Sequence, residues 1–221
     1  YGWLRRDELK ADQPLAEGVR ELQDLLRLRS KLVRDRSGYM CRLKEMKVSG
    51  EDIKGFASKI QRNLITMLSE HISSVDQEIR AIIDANSAIQ KTCDLLRSIK
   101  GVGLIVAASM IGCTNNFSRF ENARKFNCYA GLAPFDYLSG TSIRGKSRVS
   151  HLANKEVKTI LTLAASTAIQ HDAELKNYYK KRVANGKTKM NSLNVVRTKL
   201  VARMFAVIKR QSPYQEMVQA A

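Results

Sequence analysis

The residues with the most chemical potential lie between Tyr129 and Ser150. Ser139 stands directly before Gly140, and Arg144, Lys146 and Arg148 follow within nine residues of it. A serine hydroxyl beside a glycine, where backbone can approach closely, with guanidinium and ammonium groups to hold phosphate oxygens, suits attack on a phosphodiester. The hydroxyl is a weak nucleophile unless a base or a metal activates it. His151 and Asp136 are the nearest partners by position, and they make no recognisable triad. A Ser-Gly pair is equally an ordinary turn, and Ser142, Ser147 and Ser150 are rival serines in the same segment. A second stretch is Ser98 to Ala107, where Gly101 and Gly103 interrupt two helical patterns. A glycine-rich turn feeding a helix N-terminus offers free N–H groups to a phosphate, as a helix-hairpin-helix element does; the same turn could serve packing alone. Lys155 and the run Lys180, Lys181, Arg182 complete the candidate phosphate contacts.

Helices must position these groups. Leu15, Val19, Leu22 and Leu26 recur at helical spacing after Asp12-Gln13-Pro14, which reads as a helix start, and the pattern should end before Ser49-Gly50. Ile65, Leu68, Ile72, Val75, Ile79 and Ile82 alternate spacings of three and four, and Asn86, Ile89 and Cys93 extend the register. This seam fits a helical hairpin closed within one chain or a coil between chains, with Asn86 as a buried register-setting amide. Phe117, Phe120, Ala123 and Phe126 share one helical face and are expected in the core. Asn154 is a plausible cap for a helix burying Val157, Ile160, Leu161, Ala164, Ala165 and Ala168. A last helix carries Leu193, Val196, Leu200, Val201, Met204, Phe205 and Ile208, with basic residues around them. The expected fold is therefore all-α: a linker and long helical hairpin or coiled coil over 1–94, then a helical domain over 95–221. The segment around Ser139, without a strong helix pattern, is expected as a loop.

The bulk properties agree. The 221 residues contain only 12 Gly and 3 Pro, too few for a turn-rich β-sandwich. Lys and Arg number 38 against 21 Asp and Glu, a net charge of +17 that fits a polyanionic partner. Cys41, Cys93, Cys113 and Cys128 form no C-x-x-C pair, so reduced, buried thiols are expected and a zinc site is not. No apolar run approaches a membrane span, no secretory leader opens the sequence, and a start at Tyr1 suggests a piece of something longer.

The motifs from Leu95 to Ala165, in order, resemble the C-terminal domain of a bacterial insertion-sequence transposase family, the one numbered one hundred and ten, and its relatives the pilin-gene invertases. The carrying residues are I-K-G-V-G-L (Ile99 to Leu104), R-F-E-N-A-R-K-F (Arg119 to Phe126), Y-A-G-L-A-P (Tyr129 to Pro134), Ser139-Gly140, Arg144-Gly145-Lys146, Val149-Ser150 and Asn154. The L-R-L-R-S-K-L-V segment (Leu26 to Val33) resembles the coiled region that such proteins place between two domains. The resemblance implies a recombinase in which Ser139 attacks DNA and is transiently linked to it during strand exchange. It implies DNA as partner, a structured non-coding RNA as guide, assembly into dimers or tetramers through the helical hairpin, and a cytoplasmic, nucleoid-associated location. It also implies Mg²⁺ held by an acidic tetrad on a RuvC-like domain. Asp7, Glu8 and Asp12 lack the spacing to replace that tetrad, so no cofactor is expected on this chain, which alone should be inactive. The family usually has Gly before the Asn that starts the next helix; here it is Ala153. The other reading is a non-catalytic helix-hairpin-helix module that binds nucleic acid and oligomerises.

Overall fold

The computed structural model describes residues 14–50, 55–133, 135–139, 143–149 and 152–215, the side chains of 135–139 and 143–148 excepted. Among them are eight α-helices and one two-stranded antiparallel hairpin, so the architecture is all-α with a β insertion.

Helix α1 (Val19–Val48) and helix α2 (Phe56–Ala85) run antiparallel. Arg29 forks onto Asp76 with N···O distances of 2.5 and 3.2 Å, Arg36 donates to Ser69, and Ser58 reaches Met46: positions fall along α2 as they rise along α1. The apolar seam is buried at its inner end, at Val19, Leu22, Ile72, Val75, Ile79 and Ile83. Farther out, Tyr39, Met40, Ile60 and Met67 stay exposed. The helix expected to begin at Asp12-Pro14 starts later, after Gly18; Asp12 lies outside the described residues. Pro14 and Ala16 are instead tied to Asn115, whose amide donates to the Pro14 carbonyl and accepts from the Ala16 N–H.

Asn86 corrects the reading of the seam. It is a break, not a core position: α2 ends at Ala85 and helix α3 (Ser87–Arg97) begins. The Asn86 carboxamide oxygen accepts from the N–H groups of Ala88 and Ile89, and its amide donates to the Glu17 carbonyl. An amide able to cap is worth more at a helix start than in an apolar seam, where its donors would lack partners.

Helix α4 (Leu104–Thr114) lies at the centre of the molecule. Ala107, Ala108, Ser109, Met110, Ile111 and Gly112 are all buried, the pattern of a helix covered on every side. Its small residues let neighbours come near: Leu26 and Gln23 of α1 sit against Gly112, and Gln23 donates to the Gly112 carbonyl at 2.8 Å. Helix α5 (Ala123–Tyr129), capped by Asn122, and helix α6 (Lys155–His171), capped by Asn154, follow. Helix α7 (Ala173–Ala184) is capped by Asp172, and helix α8 (Lys189–Arg210) by Thr188. The aromatic residues expected on one helical face do not share a helix, since Phe117 (φ +64°) and Phe120 precede α5; they still pack against the core, with Phe117 edge-on to Phe205 at 5.0 Å and Phe120 edge-on to the buried Phe126 at 5.2 Å. One buried cluster runs from Val19 through α3, α4 and α6 to Val207 of α8. Burial of this much aliphatic and aromatic surface is the main force holding the helices together.

The four cysteines are free thiols, and Cys41 is exposed rather than buried. Burial pushes Cys93 up to about 11 and Cys113 up to about 12, from an ordinary 9.0. Below pH 9 both folded and unfolded thiols stay protonated, so neither affects the pH dependence. Above it the unfolded thiol ionises first, and stability falls. For Cys93 the slope is about 1.4 kcal/mol per pH unit until its folded value is passed. Urea unfolding at pH ~8 and ~10 should show this loss, and Cys93→Ala should reduce it; an identical slope in the variant would exclude Cys93 as its source.

Candidate catalytic hairpin

The segment expected as a loop is a β-hairpin. Strand β1 (Phe135–Ser139) pairs antiparallel with strand β2 (Ile143–Arg148) in the register Phe135↔Arg148, Tyr137↔Gly145, Leu138↔Arg144 and Ser139↔Ile143. Between the first two pairs, Lys146 and Ser147 stand opposite Asp136 alone, an irregularity of the bulge type that twists and bends a ribbon. Ser139 closes β1 at the tip, one position from the pair that holds Arg144, while Arg148 is at the base. The basic residues of β2 thus span the hairpin from tip to base. Gly140, Ser142, Ser150 and His151 lie outside the described residues; Asp136 and Ser147 are within the strands.

Both ends of the hairpin are anchored by the Y-A-G-L-A motif. At the entrance, the Leu132 and Ala133 N–H groups donate to the Asn127 carbonyl, and the Leu132 carbonyl accepts from Asn194 of α8 at 2.9 Å. Leu132 itself is buried. At the exit, Asn154 donates from its backbone to the Tyr129 carbonyl and from its amide to the Tyr129 hydroxyl. Its carboxamide oxygen also caps α6 through the Val157 N–H, so one side chain fixes the hairpin's exit and the start of a helix. Gly131 has φ +65°, and a Cβ placed there would lie 2.6 Å from the Ala153 methyl and 2.9 Å from Val149. Ala153 therefore fits because position 131 carries no side chain.

The other sequence-derived candidates divide into two places. Gly101 (φ +93°) is pressed onto α6, where an added Cβ would be 2.7 Å from the Ala168 methyl and 2.8 Å from the Ala164 carbonyl oxygen. Its close approach is to protein. Gly103 is exposed, with nothing within 4 Å of an added Cβ, and no side chain caps the first N–H groups of α4. Lys155 is exposed at the start of α6, and Lys180 and Lys181 are exposed on α7. Arg182 is half-buried, faces the Tyr178 ring at 5.9 Å and donates to Asn191 at 3.0 Å.

Asn191 and Lys155 belong to opposite walls of a groove of about 980 Å³ between α6 and α8, next to the hairpin base. Leu132, Ala133 and Val149 close one end; Lys158, Thr162 and Leu163 line the α6 side, and Met190, Asn194 and Arg197 the α8 side. Arg197, one of the basic residues expected around the last helix as an alternative nucleic-acid footprint, is 96% buried there, its residue retaining 4% exposure. Burial alone pulls its guanidinium below the ordinary arginine value. The available signal was its place in an apolar stripe: Leu193, Leu200, Val201 and Met204 lie four before and three, four and seven after it.

Among the described residues no group of three or more His, Cys, Asp or Glu side chains comes together. No helix among them is long and apolar enough to cross a membrane.

A helical scaffold that clamps both ends of a basic hairpin, with a serine at its tip, defines an all-α protein built to present that hairpin. Residues 93–180 match the Transposase IS116/IS110/IS902 family. The chain is 23% identical over 188 residues to the pilin gene-inverting protein of Moraxella bovis, covering 85% of this chain and 58% of that protein. Over 156 residues it is 27% identical to an uncharacterized 43.6 kDa protein of insertion element IS110 from Streptomyces coelicolor, 71% of this chain and 37% of that one. It is 23% identical over 151 residues to the transposase for insertion sequence element IS1111A of Coxiella burnetii, 66% of this chain and 40% of that one. The chain therefore spans little more than half the length of the pilin gene-inverting protein and less of the other two.

Proposed function

We propose that the chain is the serine-bearing part of a DNA recombinase of the transposition and inversion type. The observation that carries this reading is the hairpin. Ser139 stands at its tip, the basic residues of β2 run from it to the base, and both ends are bound to the domain that matches the transposase family. The net charge of +17 supports a nucleic-acid partner.

In the proposed step the Ser139 Oγ gives up its proton and forms a bond to a DNA phosphorus, and the bond from that phosphorus to one deoxyribose oxygen breaks. The freed hydroxyl takes a proton, and the strand remains on the serine as a phosphodiester. One bond of the same type replaces another, so attack by a second strand's hydroxyl reverses the reaction and exchanges strands. Arg144, Lys146 and Arg148 hold the phosphate oxygens, and Gly103, Lys155, Lys180, Lys181 and Arg182 the neighbouring backbone. We assign Mg²⁺, which activates hydroxyls and polarises phosphates when bound, to a separate RuvC-like domain of the whole protein. The guide RNA, and pairing of copies through the distal part of the α1–α2 hairpin, belong to the same proposal. The exposed Tyr39, Met40, Ile60 and Met67 favour the pairing.

Ser139→Ala in the full-length protein should abolish both recombination and the covalent protein–DNA adduct, while DNA affinity changes less than about twofold, since a neutral hydroxyl contributes little to counterion release. Recombination at an undiminished rate would refute the assignment of the nucleophile.

A further inference from the structure

Among the described residues one arginine, Arg197, is buried, and two of the partly buried ones have carboxylates. Arg29 has Asp76, and Arg203 has Asp172 and Glu174. Arg197, the most buried, has none. Its Nη1 donates to the Asn194 carboxamide oxygen at 3.2 Å, its Nη2 makes a long contact of 3.6 Å with the Met190 sulfur, and its Nε has no partner. A buried guanidinium normally retains its charge by pairing, because an unpaired charge away from water is costly. The groove that it lines has further cations in Lys155 and Lys158 and no aspartate or glutamate in its walls. The hydroxyls of Thr159, Thr162 and Thr198 already donate to carbonyls of their own helices. What remains open towards the groove is mainly donors, beside the apolar side chains of Leu163 and Met190, both more than half exposed.

From this we infer that the groove between α6 and α8 binds one unpaired nucleotide of a nucleic-acid strand. Its phosphate lies on Arg197 and Lys158, and its base lies against Leu163 and Met190. A fork of N–H donors suits a phosphate, and an apolar wall suits the face of any base. A duplex cannot bring a single nucleotide into a recess of this kind without unstacking it, so the groove selects single strand over duplex. Through Ala133 and Val149 the site adjoins the two ends of the Ser139 hairpin, where an unpaired strand leaving the reacting phosphate would be held. The inference rests on reading the chain as a nucleic-acid-acting protein.

The test uses the chain with fluorescent single-stranded DNA, single-stranded RNA and duplex probes of about 12 nucleotides, titrated at several salt concentrations. Lys158→Glu and Arg197→Gln should each weaken single-strand binding roughly tenfold and lower the salt slope by about 0.7, with a smaller change for duplex. Lys44→Glu, an equal charge change on the exposed face of α1, should leave the slope as it is. The RNA arm decides which strand is held, since both carry the same phosphodiester. Lys158 is at the groove's edge, so its variant gives an answer even if Arg197→Gln unfolds. Wild-type slopes in both variants would overturn the groove and leave the proposed function standing. No salt-dependent binding of any probe by the wild type would overturn both. An Arg197 Nε–H resonance that moves with an acidic peptide, and not with the oligonucleotides, would hand the groove to a protein partner and overturn the inference.

Discussion

Gly101→Ala should destabilise the chain by about 2–5 kcal/mol, combining the strain of a left-handed residue with that of an overpacked core. Gly101 turns the chain between α3 and α4 with φ +93°, a conformation that an L side chain rarely adopts. Space is the second obstacle. The added methyl would stand 2.7 Å from the Ala168 Cβ and 2.8 Å from both the Ala164 oxygen and the Ala168 nitrogen. Two of these three atoms are helix backbone and cannot swing aside, so α6 would have to move away from the turn. That movement would disturb Val102, Leu161 and Ala165, which are buried in the same cluster, and reach the Asn154 end of α6 that fixes the hairpin. Gly103→Ala is the control: it has no positive φ and nothing within 4 Å, so it should cost under about 1 kcal/mol. Urea unfolding of both variants measures the difference. Equal midpoints would show that the turn tolerates a side chain and that α6 does not constrain it.

The helices were legible wherever a cap and an apolar stripe agree. Asn154 before Val157, Leu161, Ala164 and Ala168 marks α6 with no tertiary information, and Asn122 marks α5 in the same way. At Asn86 the two signals conflict. The spacing of apolar residues continues through it, and only the three-dimensional path shows that its amide caps α3 while bonding back to Glu17. The hairpin was harder to read because Ser, Gly, Arg and Lys dilute the strand-forming residues Tyr137 and Ile143. Its pairing depends on anchors far along the chain, at Asn127, Asn154 and Asn194. The motif order singled out Ser139, which stands at the end of β1. What sequence could not separate was the use of each glycine in Gly101-Val102-Gly103, one pressed on α6 and one open to solvent, since nothing local records which helix packs there.

The same limit applies to the arginines of α8, and it leads to the other large effect. Arg203→Ala should cost about 3–5 kcal/mol, the loss expected when one partner of a buried ion pair is removed. Arg203 lies in the buried stripe with Val196, Leu200 and Val207, and its side chain is 12% exposed. Its two Nη atoms reach Asp172 and Glu174 at 2.6 Å each, and its guanidinium covers the Tyr214 ring at 4.7 Å. Asp172 is 4% exposed and also caps α7 through the Leu175 N–H. Without Arg203 that carboxylate would keep a single backbone donor in a site with almost no water. The damage would spread through Tyr214, whose N–H donates to Ser98 in the turn that contains Gly101. Arg203→Lys retains a charge and one contact but not the fork, so it should lose less, about half as much. Glu174, 48% exposed as a side chain, is the weaker partner, and Glu174→Gln should cost under about 1 kcal/mol. Unfolding free energies in that order, Arg203→Ala well below Arg203→Lys and Glu174→Gln near wild type, are the expected result. A near-neutral Arg203→Ala would mean that water reaches Asp172 and that the α6–α7 corner is held to α8 by apolar packing alone.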